Sequence, residues 1–179
     1  MANREALREL QTRLASRLQT AKVEGLSISW LAVRAGGGNY LLPLAQSGEI
    51  FPLADIQVVP YVRPWFRGVV NLRGGLYGVV DLAAFIGQSG EGREGARAET
   101  ATGEASVVTL NAALEVNSAL LVDGLAGLRH VETFTGTEPP SAQAPAYFGN
   151  RYTDASGEHW QEINLQLLSQ LPEFLSISA

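Results

Sequence analysis

Few residues in this chain have the types and spacing to do chemistry. Gly90-Glu91-Gly92-Arg93-Glu94-Gly95 matches the GxGxxG spacing that sets a helix N-terminus against a pyrophosphate. That chemistry needs a buried strand before the glycines and a helix after them. Here both flanks are polar, and Glu91 and Glu94 would repel phosphate, so the motif reads as loop. His130 and His159 lie far apart, and neither has a His, Asp or Glu at metal-ligand spacing in a shared element. Glu158 adjoins His159 and Glu132 lies two positions after His130, neighbours that suit strand edges. No serine sits in a GxSxG elbow and no GxxxxGK[ST] loop occurs. Cysteine is absent, which removes thiol catalysis, thiolate metal sites and disulfides. Glu49, Asp55, Asp81, Asp123 and Glu162 fall at strand ends or turns, where solvation accounts for them. The reading is therefore non-enzymatic, with no metal and no cofactor. One residue stays unexplained: Arg73, ahead of a Gly-Gly pair in GVVNLRGGLYGVVDL, Gly68 to Leu82.

The elements that would position Arg73 are mainly β. The chain has 179 residues, 46% of them hydrophobic, enough for one domain with a core. Its 19 glycines and 8 prolines point to many turns. A formal net charge of −5 argues against a nucleic-acid partner. No apolar run approaches the roughly 20 residues of a membrane helix, so direct membrane insertion is not expected. The charged N-terminus lacks a signal-peptide core, and with the absence of cysteine it points to the cytoplasm.

Leu7, Leu10, Leu14 and Leu18 recur at helical spacing with Arg and Glu opposite, which predicts a helix within residues 1–24. Its narrow stripe is expected to pack on its own domain, with docking onto a partner as the alternative. Period-two alternation begins after Gly25, with Gly36-Gly37-Gly38-Asn39 as a turn into Tyr40–Leu44. Further strands are expected at Ile56–Val59, Gly68–Leu72 and Leu76–Val80, then a short helix from Asp81 stopped by Gly87. Residues 88–104 carry no aromatic or large aliphatic side chain and read as a mobile loop. Strands resume at Ser106–Leu110, Ser118–Val122 and Leu125–Val131. A polar break at Glu132–Pro145 with three prolines follows, then Tyr147–Tyr152, His159–Ile163 and a short helix from Asn164. Trp65-Phe66 with Val80-Asp81-Leu82 is echoed by Tyr147-Phe148 with Ile163-Asn164-Leu165, which suggests two similar β units.

These residues carry a resemblance. Gly68-Val69-Val70-Asn71-Leu72-Arg73-Gly74 followed by Val79-Val80-Asp81-Leu82 resembles the N-L-R-G hairpin and D-L helix start of the CheW-like adaptor family. Leu120–Leu128, LLVDGLAGL, is similar to its second-half LLVDxVxGV stretch. The likeness runs from about Trp30 to Leu168. Gly78 departs from the pattern where proline is frequent, and Asn164 where the second D-L has aspartate. The resemblance implies two five-stranded SH3-like β-barrels packed about a shared apolar seam, with short helices closing each half. After the 1–24 helix, residues 25–179 would be a single CheW-like domain. Its first barrel would cover about 28–87, open to exchange of strands, and its second about 105–170. It also implies a non-catalytic adaptor joining the cytoplasmic tip of a methyl-accepting chemoreceptor to the regulatory domain of a CheA-type histidine kinase. The leucine-striped helix and total length look like CheW-like proteins of type IV pilus, or twitching, systems. The alternative is an assembly module that binds pathway or pilus components without regulating a kinase.

On this reading Arg73, with Val69, Val70 and Asn71, meets the receptor, and Glu49 pairs with Arg73 through the guanidinium's planar fork. Leu121, Val122, Leu125 and Leu128 are the expected kinase-facing residues.

Overall fold

The computed structural model describes residues 2–25, 29–53, 55–88 and 105–178. The leucine-striped segment forms α1, Ala2–Gly25, and the alternating segment forms β1 (Ser29–Ala35) and β2 (Gly38–Pro43). Then come β3 (Ser47–Pro52), β4 (Phe66–Leu72), β5 (Gly75–Asp81) and α2 (Leu82–Gly87). The loop and GxGxxG readings at 89–104 lie outside the described residues. Beyond them are β6 (Ser106–Leu110), β7 (Ser118–Val122), β8 (Gly124–His130), β9 (Phe134–Glu138), β10 (Phe148–Asp154) and β11 (His159–Ile163). Short helices α3 (Leu165–Gln170) and α4 (Pro172–Leu175) end the fold.

The protein is mainly β, with two SH3-like sheets. One runs β8-β1-β2-β11-β10-β9 and the other β3-β6-β7-β5-β4. In each, the second strand of an antiparallel pair (β2 or β7) lies parallel to the last strand of a hairpin (β11 or β5). The sheets have six and five strands instead of five each, and among the described residues neither ladder closes into a barrel. The extra strand is β9, inside the stretch expected to be a polar break. Its prolines, Pro139, Pro140 and Pro145, come only after the strand has ended. The halves are interleaved: β1 and β2 join the sheet of β8–β11, while β6 and β7 join that of β3–β5. The 88–104 segment is thus no boundary between sheets. The expected strand Ile56–Val59 contributes only the isolated bridge Gln57–Val69. Pro60, without an N–H, stands where pairing would continue.

Alternation along the strands produces three apolar clusters. The largest lies between the sheets and takes Leu31, Val33 and Leu42 from one, Val80, Val108 and Leu120 from the other, and Phe85 and Leu168 from the helices. A second, with Val70, Val79 and Leu121, lies on the far face of the five-stranded sheet. Trp30, Leu41 and Trp160 anchor the third on the six-stranded sheet. The sequence echo has a structural counterpart. Asp81 N–H donates to Trp65 O and Asn164 N–H to Tyr147 O, each at 2.8 Å. Asp81 then caps α2 by accepting from Ala84 N at 3.2 Å, and Asn164 caps α3 by accepting from Leu167 N at 3.1 Å. α1 differs from expectation. Leu7, Leu10 and Leu14 remain 58, 57 and 53% exposed, so these side chains do not pack on the domain.

Candidate functional site

Arg73 occupies the tip of the β4–β5 hairpin, between the paired residues Leu72 and Gly75. Its φ is +50° and that of Gly74 is +80°, the left-handed pair of a type I′ turn. Glycine fits this conformation, whereas a side chain there costs about 1–2 kcal/mol. Asn71 braces the turn, its Oδ1 accepting from Gly74 N at 3.0 Å. The local sequence thus holds arginine in a conformation most turns give to Asn or Gly.

Glu49, on β3, accepts from Arg73 Nη1 at 3.1 Å. The Arg73 guanidinium carbon also lies 5.8 Å from the ring centre of Phe51, two residues further along β3. The side chains of Arg73 and Glu49 are 74 and 55% exposed. This is a surface pair, worth only about 0–1 kcal/mol. It sets the direction of the fork and leaves most of it open to solvent.

The remaining residues read from the sequence as receptor-facing divide. Asn71 is exposed and Val69 is half-buried against the seam. Val70 points the other way and is buried at 4% exposure, because alternation turns it into the five-stranded sheet's own cluster. It supports the surface instead of forming it. Leu76, opposite Asn71 in the hairpin register, is 61% exposed and was missed. Alternation across the Arg73-Gly74 turn, with Tyr77 inward, would have found it. Val58 and Tyr61, 77 and 90% exposed, lie on the connection before β4, and Tyr61 has φ +58°. No periodicity marks that proline-punctuated stretch.

The expected kinase-facing residues also divide. Leu121 and Val122 are buried, Leu121 in the five-stranded sheet's own cluster and Val122 in the seam. Leu125 and Leu128, on edge strand β8, are 44 and 59% exposed. The four do not form one surface, since β7 is central in its sheet and β8 is an edge.

Other polar groups serve the framework. His130 Nδ1 lies 2.9 Å from Ser29 Oγ, and His159 Nδ1 lies 3.0 Å from Thr153 Oγ1. Asp154 binds the Ser156 hydroxyl and the Trp160 indole, which hold its carboxyl at about 2. Arg34 and Arg129 both approach the Trp160 ring, at 5.9 and 5.4 Å from its centre. Among the described residues, no three His, Cys, Asp or Glu side chains gather to hold a metal.

Residues 29–171 match the CheW-like domain, which covers all the described strands. The chain belongs to the CheW-like family. Within it, the chain is 28% identical over 170 residues to Protein PilI of Pseudomonas aeruginosa, covering 93% of this chain and 89% of that one. The fold is also that of the scaffolding protein TtCheW from Thermoanaerobacter tengcongensis, with a TM-score of 0.63 and 16% identity. That likeness covers 81% of this chain and 94% of TtCheW. CheW-like domains are adaptor modules. The described helices include none long and apolar enough to cross a membrane.

Proposed function

We propose that this CheW-like protein is a non-catalytic cytoplasmic adaptor coupling a chemoreceptor's cytoplasmic tip to the regulatory domain of a CheA-type histidine kinase, in a pathway controlling twitching. The observation that carries the reading is the Arg73 tip: an exposed planar cation fixed by a left-handed turn, by Asn71 and by Glu49. Such a group suits an orientation-specific contact with a helix side chain or helix end. Leu76, exposed on the paired strand of the same hairpin, adds apolar surface to the tip region. Leu125 and Leu128 on β8 supply a second surface, on the other sheet, for the kinase. Two partners held on two sheets that share one seam move as a unit. A small receptor shift then changes the kinase's active population through a coupling free energy typically about 1–3 kcal/mol.

The test is a titration of a receptor's cytoplasmic helical hairpin with wild type and with Arg73→Glu. The reversal should weaken binding by about tenfold or more, roughly the loss of one charge-assisted contact. The circular dichroism spectrum should stay unchanged. Equal affinities would remove Arg73 from the interface.

A further inference from the structure

Two apolar faces of the molecule lie uncovered, and the chain tethers one beside the other. On α1, Leu7, Leu10 and Leu14 share a stripe that Leu18 continues by spacing. By helical spacing in the sequence, Arg4 and Arg8 fall on one border of the stripe and Arg13 and Arg17 on the other, with Glu5 and Glu9 opposite. The second face is on β8. Leu128 stands opposite Leu31 and Leu125 opposite Val33, both seam residues, so the two leucines point to the seam side of their sheet. They stay exposed because β8 is an edge. Arg129 turns away from it towards Trp160. Asp123 and Glu132 bound the row in sequence.

The tether decides where α1 can go. It ends at Gly25, and β1 begins at Ser29, which pairs with His130 at the end of β8. Four extended steps reach at most about 14 Å, so the end of α1 is held near the end of β8. A helix rises about 1.5 Å per residue and a strand about 3.4 Å. By these rises Leu18 and Leu14 lie about 10 and 16 Å from the helix end, and Leu128 and Leu125 about 7 and 17 Å from His130. A helix folded back along β8 brings the two rows into register. Pairing of α1 with its counterpart in a second copy is disfavoured, because arginines on both borders would meet arginines in either orientation.

We propose that α1 is the occupant of the β8 face of its own chain, a strap that closes over Leu125 and Leu128, and that the exposed leucines are its open state. Given the kinase-facing role of β8 proposed above, on which this consequence rests, closure competes with the kinase.

The chain has no cysteine, so engineered thiols report docking without background. The full-length Leu14→Cys/Leu125→Cys chain should form an intrachain disulfide at least about fivefold faster than Thr12→Cys/Leu125→Cys, whose helix thiol is on the far face. Equal rates, or a disulfide between two chains, would overturn the proposal. Separately, Leu10→Glu/Leu14→Glu should raise affinity for the kinase regulatory domain by about fivefold or more. A fast intrachain disulfide with unchanged kinase affinity would keep the strap and discard β8 as the kinase face.

Discussion

At the residue scale, Arg73 is kept where local energetics disfavour it. Its left-handed backbone suits glycine, and its ion pair with Glu49 is too exposed to offset the cost. A residue chosen for stability alone would be Gly or Asn. Arg73→Gly should therefore leave urea stability unchanged or raise it by up to about 1 kcal/mol, while receptor binding falls as for the charge reversal. A loss of more than about 1 kcal/mol on that substitution would mean that the guanidinium holds the fold together, and the functional assignment would lose its basis. The family pattern singled out Arg73, Asn71 and Glu49 in the sequence. The type I′ turn was not anticipated, because arginine does not announce a left-handed position. The exposure of Leu76 could have been derived from alternation; that of Tyr61, in a stretch without period, could not.

At the element scale, strongly periodic segments were legible and context-dependent ones were not. β1, β2 and the β4–β5 hairpin follow from period two and glycine turns, and α2 and α3 from their Asp81 and Asn164 caps. Ile56–Val59 has strand composition yet makes one bridge. The Gly68 backbone that meets it has φ +135°, and a Cβ there would lie 2.2 Å from Gln57 O. Gly78, the departure from proline, donates its N–H to Asn117 O at 2.9 Å. Proline could not make that bond. In the β10–β11 turn, the Ser156 hydroxyl first and the Trp160 indole second hold the Asp154 carboxyl at about 2, below its unfolded value. Between these values the unfolded chain binds more protons, so the contribution is full above about pH 4 and lost as pH falls through about 2. The melting temperature of wild type should exceed that of Asp154→Asn at pH 6, with the gap closing between pH 4 and pH 2. A gap independent of pH would show that the charge on Asp154 does not stabilise the turn.

At the scale of the whole molecule, the interleaving of strands matters most, and it was the least legible feature. Pattern assigns strands to faces but not to sheets, and β6 and β7 read equally well in either. Because each sheet borrows strands from both halves and the helices cap one seam, neither sheet holds the seam core alone. Unfolding should be a single calorimetric transition with equal calorimetric and van't Hoff enthalpies. Leu120→Ala, which opens a cavity in the seam, should lower that one transition by about 2–5 kcal/mol. Two separable transitions would contradict a shared seam. On the proposed adaptor reading, the same rigidity would let a contact at the Arg73 tip be felt by a partner on the other sheet.

The most direct measurement of that coupling is autophosphorylation of a CheA-type kinase reconstituted with a receptor's cytoplasmic tip. It would be run without this protein, with wild type and with Arg73→Glu. The adaptor account predicts that kinase activity depends on the receptor only when wild type is present. If wild type binds both partners while kinase activity stays the same in all three mixtures, the protein is an assembly module and the coupling account is wrong.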